Sequence, residues 1–149
     1  MRKYLLLAAA LLICVSLHAQ ERKNGIGIRV GDGVEVSYVR NLATHGYITA
    51  SAGMLGFDSG FFVTATYNQI LRKWRWTPRT GDWFIAAGGG GTAGLYRDDF
   101  NIGIAADVAF GIKFKQPVTL AVDYRPTVLL VDHHTRGLYN FGVSCYYNF

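Results

Sequence analysis

The chain has 149 residues, 15 Lys and Arg against 10 Asp and Glu, and a formal charge of +5. Half of it is apolar, 14% is aromatic, and 18 positions are glycine. This length fits one domain, and so mild a basic excess argues against a dedicated nucleic-acid binder.

The first segment reads as an export signal. Arg2 and Lys3 form a positive start, and Tyr4 to Leu17 is an apolar run. At roughly fourteen residues the run is too short to span a bilayer but suits a signal-peptide core. Leu17-His18-Ala19 leads to an expected cut after Ala19, leaving a single domain over 20–149 with a formal charge of +3 once Arg2 and Lys3 are lost. Cys14 lies inside the run behind Ile13, which disfavours lipidation. Cys145 is then the only cysteine left, without an internal disulfide partner.

Beyond residue 19 no segment reads as a transmembrane helix, because Gly, Asp or Arg interrupts every apolar stretch. Clusters of Gly and Asn/Asp punctuate the chain in an all-β pattern. The expected strands are 24–31, 34–41, 46–55, 61–71, 82–95, 101–114, 118–130 and 138–149. Tight turns fall at Gly31-Asp32-Gly33, Phe57-Asp58-Ser59-Gly60, Arg97-Asp98-Asp99 and Lys115-Gln116-Pro117.

Parity then assigns the faces. Ile102, Ile104, Ala106, Val108, Phe110, Ile112 and Phe114 share one side of the sixth strand, and Gly103, Ala105, Asp107, Ala109, Gly111 and Lys113 the other. Val118, Leu120, Val122 and Tyr124 oppose Thr119, Ala121, Asp123 and Arg125. Ile26, Ile28 and Val30 oppose Gly27, Arg29 and Gly31. Val34, Val36 and Tyr38 oppose Glu35 and Ser37. The last strand sets Tyr139, Phe141, Val143, Cys145, Tyr147 and Phe149 against Asn140, Gly142, Ser144, Tyr146 and Asn148. One face suits lipid and the other is small or polar. A soluble ligand-carrying barrel would need the larger apolar residues inside, which this pattern does not supply.

The expected architecture is therefore an eight-stranded antiparallel up-and-down transmembrane β-barrel. Its lumen would be filled by a polar network of Arg29, Glu35, Asp107, Lys113, Asp123 and Arg125, three charges of each sign.

Gly25-Ile26-Gly27-Ile28-Arg29 with Val36-Ser37-Tyr38, Gly81-Asp82-Trp83-Phe84 running into Gly88 to Gly91, Leu120-Ala121-Val122-Asp123-Tyr124-Arg125-Pro126, and the aromatic last strand occur in one order. In that order the chain resembles the small outer-membrane β-barrel proteins common in Bacteroidetes-type bacteria. The resemblance implies the fold and an outer-membrane location in a Gram-negative envelope, with lipid, lipopolysaccharide and the barrel assembly machinery as partners. It implies no activity.

Several segments invite a chemical reading. Asp132-His133-His134 could bind a metal weakly, but adjacent loop histidines usually face water, so no metal site is expected. Ser59 beside Asp58, with His133 and His134, supplies the groups of a lipid A acyl hydrolase or transferase, the kind of enzyme found among barrels of this size. No His-x-Ser pair shares a strand face, and no catalytic residue is assigned. Arg72 to Arg79 interleaves cations with Trp74 and Trp76, which reads as an interfacial anchor rather than a nucleic-acid platform. Gly88 to Gly91 lacks the Lys-Ser/Thr ending of a phosphate loop, and no cofactor is expected. Gly142, Tyr147 and Phe149 are the expected assembly signal. The function so read is structural or surface-interacting and non-catalytic, with a lipid A-modifying enzyme or a narrow channel as the alternatives.

Overall fold

A computed structural model describes residues 22–43, 45–54, 60–96, 99–130 and 139–149. The segment 1–19, Asp58, Ser59 and the stretch Asp132 to Gly137 lie outside the described residues. Among the described residues there are nine strands: β1 (Asn24–Val30), β2 (Val34–Ala43), β3 (Gly46–Met54), β4 (Phe61–Thr77), β5 (Gly81–Tyr96), β6 (Asp99–Phe114), β7 (Val118–Tyr124), β8 (Thr127–Leu129) and β9 (Phe141–Asn148).

The fold is all-β and the sheet closes. Each strand from β1 to β6 pairs antiparallel with the next, β7 pairs with β9, and β9 pairs with β1. The short β8 pairs with β6 beyond the end of β7, so β7 and β8 share one position. The result is a ring of eight positions, closed through β7, β9 and β1, in which the ladders satisfy the backbone groups of neighbouring strands.

The break between β7 and β8 falls at Arg125-Pro126, where the sequence predicted one continuous strand. Proline has no N–H to donate to the ladder. The neighbouring groups stay paired: the Ala106 amide donates to the Pro126 carbonyl at 3.0 Å, and the Arg125 amide to the Asn140 carbonyl at 2.8 Å.

The ring has two ends. One carries Asn24, Phe149 and the connections at 43–46, 77–81 and 114–118, and is called here the terminal end. Asn24 and Phe149 close it by exchanging backbone hydrogen bonds at 3.1 and 2.8 Å. At that end β4 and β5 run longer than the sequence predicted. Register shifts between Ile70 and Arg72 and between Trp74 and Thr77 carry the β4–β5 ladder to Thr77 and Gly81. Bulges of this kind change which side chains face out. Ile70 and Lys73 line the interior, while Leu71 and Trp76 are both exposed. The long basic connection expected at 72–82 is therefore an extended hairpin with a short turn.

The predicted faces hold in β1, β2, β6, β7 and β9, and the first half of β4 alternates in the same way. Ile28, Val36, Val63, Ile104, Val122 and Val143 point outward and are about half exposed, whereas Arg29, Ser37, Thr66, Ala105, Asp123 and Ser144 point inward and are buried. Ile112 has outward parity but is buried, between Trp83 and Leu120 in register. The interior is therefore polar and the exterior apolar, the reverse of a water-soluble protein.

Candidate functional site

Five of the six predicted interior charges meet in one layer. Arg29 on β1 holds Asp123 on β7, with Nε and Nη2 each 2.6 Å from Oδ1. Its Nη1 lies 3.2 Å from Oε1 of Glu35 on β2, and Nη2 donates to Oδ1 of Asn140 at 3.0 Å. Glu35 turns its other oxygen to Arg125, whose Nη1 donates to Oε2 at 2.8 Å. Arg125 Nη2 also stands 3.8 Å from Oδ2 of Asp107 on β6. Glu35 thus bridges two guanidiniums, and Arg125 crosses the bore from the β7–β8 break to β2.

Polar neighbours complete the layer. Ser144 donates to Asp123 at 2.7 Å, and Asn68 Nδ2 donates to Asp107 Oδ2 at 3.0 Å. Arg125 Nη1 reaches Ser51 Oγ at 3.5 Å, and Ser51 in turn contacts Ser37 at 2.8 Å. Every charged member is nearly sealed from solvent, from Arg29 at 1% exposure to Glu35 at 7%. At such burial the pairing is obligatory, because an isolated charge would be strongly destabilising. Asn68, Asn140 and Ser144 were not singled out from the sequence. All three keep the inward parity of their strands, which was the available signal.

Lys113 departs from the expected network. It keeps inward parity but lies six residues further along β6, at the exposed terminal end. The layer therefore holds two guanidiniums and three carboxylates instead of a balanced six. Among the described residues four of its buried atoms, Asp107 Oδ1, Arg125 Nε, Asn68 Oδ1 and Asn140 Nδ2, make no hydrogen bond within the structure.

The lumen is open on the terminal side of this layer, which corrects the expectation of a filled bore. Toward the end opposite the termini, Phe62, Leu129 and the Thr64–Thr92 pair, with hydroxyls 2.8 Å apart, occupy the interior. Toward the terminal end the bore opens into a cavity of about 650 Å³. Asp107, Asp123 and Arg125 form its floor. Tyr47, Tyr146, Ile70 and Phe84 are among its walls, and Arg22, Lys23, Lys73, Asp82 and Lys113 surround the mouth. Ala109 of β6 and Ala121 of β7 line this space, where larger side chains would have narrowed it.

The remaining predicted residues have distinct places. Gly142 lies against the Arg29 guanidinium. Tyr147 pairs with Ile26 on one side and Val118 on the other, within the closure of the ring. Trp74 and Trp76 stack at 5.5 Å, Trp76 meets Trp83 at 5.8 Å, and Trp83 stacks on Phe110 at 5.4 Å. The Arg72 guanidinium sits 5.5 Å from the Trp74 ring centroid. Cys145 is exposed on the outer face. Among the described residues no group of three or more His, Cys, Asp or Glu could hold a metal ion.

Comparison with protein-family models, with curated proteins and with solved structures returns no match for this chain.

Proposed function

We propose that this chain is a small outer-membrane β-barrel with a structural or surface-interacting role and no catalytic turnover. The observation that carries the reading is the inversion of polarity around a closed ring. Apolar side chains cover the middle of the outside, and Arg29, Glu35, Asp107, Asp123 and Arg125 are sealed within. Exposed apolar area on this scale is unfavourable in water, and a closed ring is the one β-architecture that satisfies its backbone in a bilayer.

The tryptophan cluster at the terminal end supports the same reading. Trp and Arg together favour the boundary between acyl chains and headgroups. Phospholipid and lipopolysaccharide are the partners this surface fits, and the barrel assembly machinery would engage β9 by strand pairing. The terminal end would face the periplasm.

The Arg125 crossing favours a plugged barrel over a channel. Membrane fractionation and planar-bilayer recording test the proposal together. The expected result is a chain that resists alkaline extraction, yields to detergent and produces no steps of conductance. Recovery in the soluble fraction would overturn the membrane assignment, and ion conductance changed by Arg125→Ala would replace the structural role with a channel.

A further inference from the structure

The β4–β5 hairpin leaves part of one strand without a neighbour. Among the described residues β3 begins at Gly46, opposite Gln69 of β4, and the Ile70 amide donates to the His45 carbonyl at 2.7 Å. β4 then runs on to Thr77, and over this stretch it pairs with β5 alone. An antiparallel strand aims alternate backbone amides and carbonyls to each side. From Leu71 to Thr77 the groups aimed away from β5 therefore meet no described strand. Apart from the half-buried Trp74, every side chain from Leu71 to Thr80 is exposed. A bare edge of this kind is a template for pairing with another strand.

The side chains restrict which strand can pair. Arg72, Lys73, Arg75 and Arg79 fall between Leu71 and Thr80, a stretch with no Asp or Glu. Arg72 lies over the Trp74 ring, and among the described residues neither it nor Arg79 has a carboxylate in ion-pair reach. Arg75 meets Asp82 at 3.6 Å with 83% of its side chain exposed, so that pair is weak. A second copy of the chain would set these cations against themselves, and like charges on facing strands repel. The two bulges also bend β4 out of the flat line that a second rigid barrel would need, whereas a flexible peptide can follow it. We infer that the β4 edge from Leu71 to Thr77 docks an extended acidic segment of a partner protein, added as a strand beside β4. Backbone hydrogen bonds would supply the affinity, and carboxylates near Arg72 and Arg75 the selectivity. Lipid headgroups could neutralise the same cations but offer no ladder. The inference deepens the surface-interacting reading above, and its test in micelles leaves the membrane assignment untouched.

Tryptophan emission tests it, because Trp74 lies on the edge and stacks on Trp76. The full chain in uncharged detergent micelles is titrated with the acetylated, amidated peptide Glu-Val-Glu-Val-Glu-Val-Glu. Two controls are the same peptide with Lys for Glu and a copy with every interior amide N-methylated. The acidic peptide should shift the emission and slow amide hydrogen exchange between Leu71 and Thr77. Both controls should bind about tenfold or more weakly. In the double variant Arg72→Glu with Arg75→Glu the preference should reverse toward the lysine peptide, a gain that misfolding cannot produce. Absence of binding at millimolar acidic peptide overturns the inference. Equal affinity for the N-methylated copy overturns it too, since charge would then act without a ladder. Concentration-dependent dimerisation without peptide would give the edge to a second copy. Loss of peptide binding when phosphatidylglycerol is mixed into the micelles would give the cations to lipid headgroups.

Discussion

Gly142 and Arg29 occupy adjoining space in the bore: a Cβ at 142 would stand 2.7 Å from the Arg29 Cζ and Nη2 atoms. The guanidinium that holds Asp123, Glu35 and Asn140 lies over β9 where that strand has no side chain. Gly142→Ala should therefore displace Arg29 and loosen the charge layer. The expected cost is about 1–3 kcal/mol, as for an overpacked core. Urea unfolding in lipid vesicles, followed by tryptophan emission, measures it. A variant as stable as the parent would show that the layer yields without penalty.

Arg125 and Asp107 should respond in opposite ways to neutralisation. Arg125→Ala leaves Glu35 and Asp107 short of a cation in a sealed interior, and losing one partner of a buried pair costs about 3–5 kcal/mol. Asp107→Asn removes the excess carboxylate charge, and stability should hold or rise. The same unfolding measurement ranks the two. Equal destabilisation would mean that geometry, not charge balance, governs the layer.

The outward face should reject charge in a depth-dependent way. Ile104→Arg sits near the middle of β6 and should destabilise the inserted protein by about 2–4 kcal/mol. Trp76→Arg, at the terminal end, should cost little. Folding yield into vesicles of defined thickness distinguishes the two positions. An equal tolerance of arginine at both would argue against a hydrocarbon environment around β6.

All three tryptophans of the chain, Trp74, Trp76 and Trp83, belong to one cluster. Native tryptophan emission therefore reports on a single depth. Lipids brominated near the headgroup should quench it more strongly than lipids brominated near the chain terminus. The reverse order would move the cluster away from the interface.

The sequence carried the fold because period-two alternation holds through β1, β2, β6, β7 and β9, and a slip of one residue would turn Asp107 or Asp123 outward. It also placed Arg29, Glu35, Asp107, Asp123 and Arg125 on one surface. It did not reveal how they pair, because pairing depends on closure of the ring, which brings Arg125 across to Glu35, 90 positions earlier in the chain. Lys113 was misjudged for a related reason. Parity gives the face of a residue but not its height, and six residues along β6 separate the sealed layer from the open mouth. The cavity was equally hidden. Small residues on inward faces are visible in the sequence, but whether their space is filled depends on neighbours such as Tyr47 and Phe62 from distant strands. The expected fourth strand stops at residue 71, and the sequence leaves its extension as a hairpin open, because two bulges interrupt the alternation there.

A spin-label scan along β6 examines the polarity of the ring without intermediaries. Single cysteines would be placed at each position from Ile102 to Phe110 in a Cys145→Ser background, with the protein in lipid vesicles. The account predicts that labels at Ile102, Ile104, Ala106, Val108 and Phe110 collide with dissolved oxygen and not with a water-soluble nickel chelate, while those at Gly103, Ala105, Asp107 and Ala109 are shielded from oxygen. Nickel access at the even positions, or no alternation at all, would contradict it.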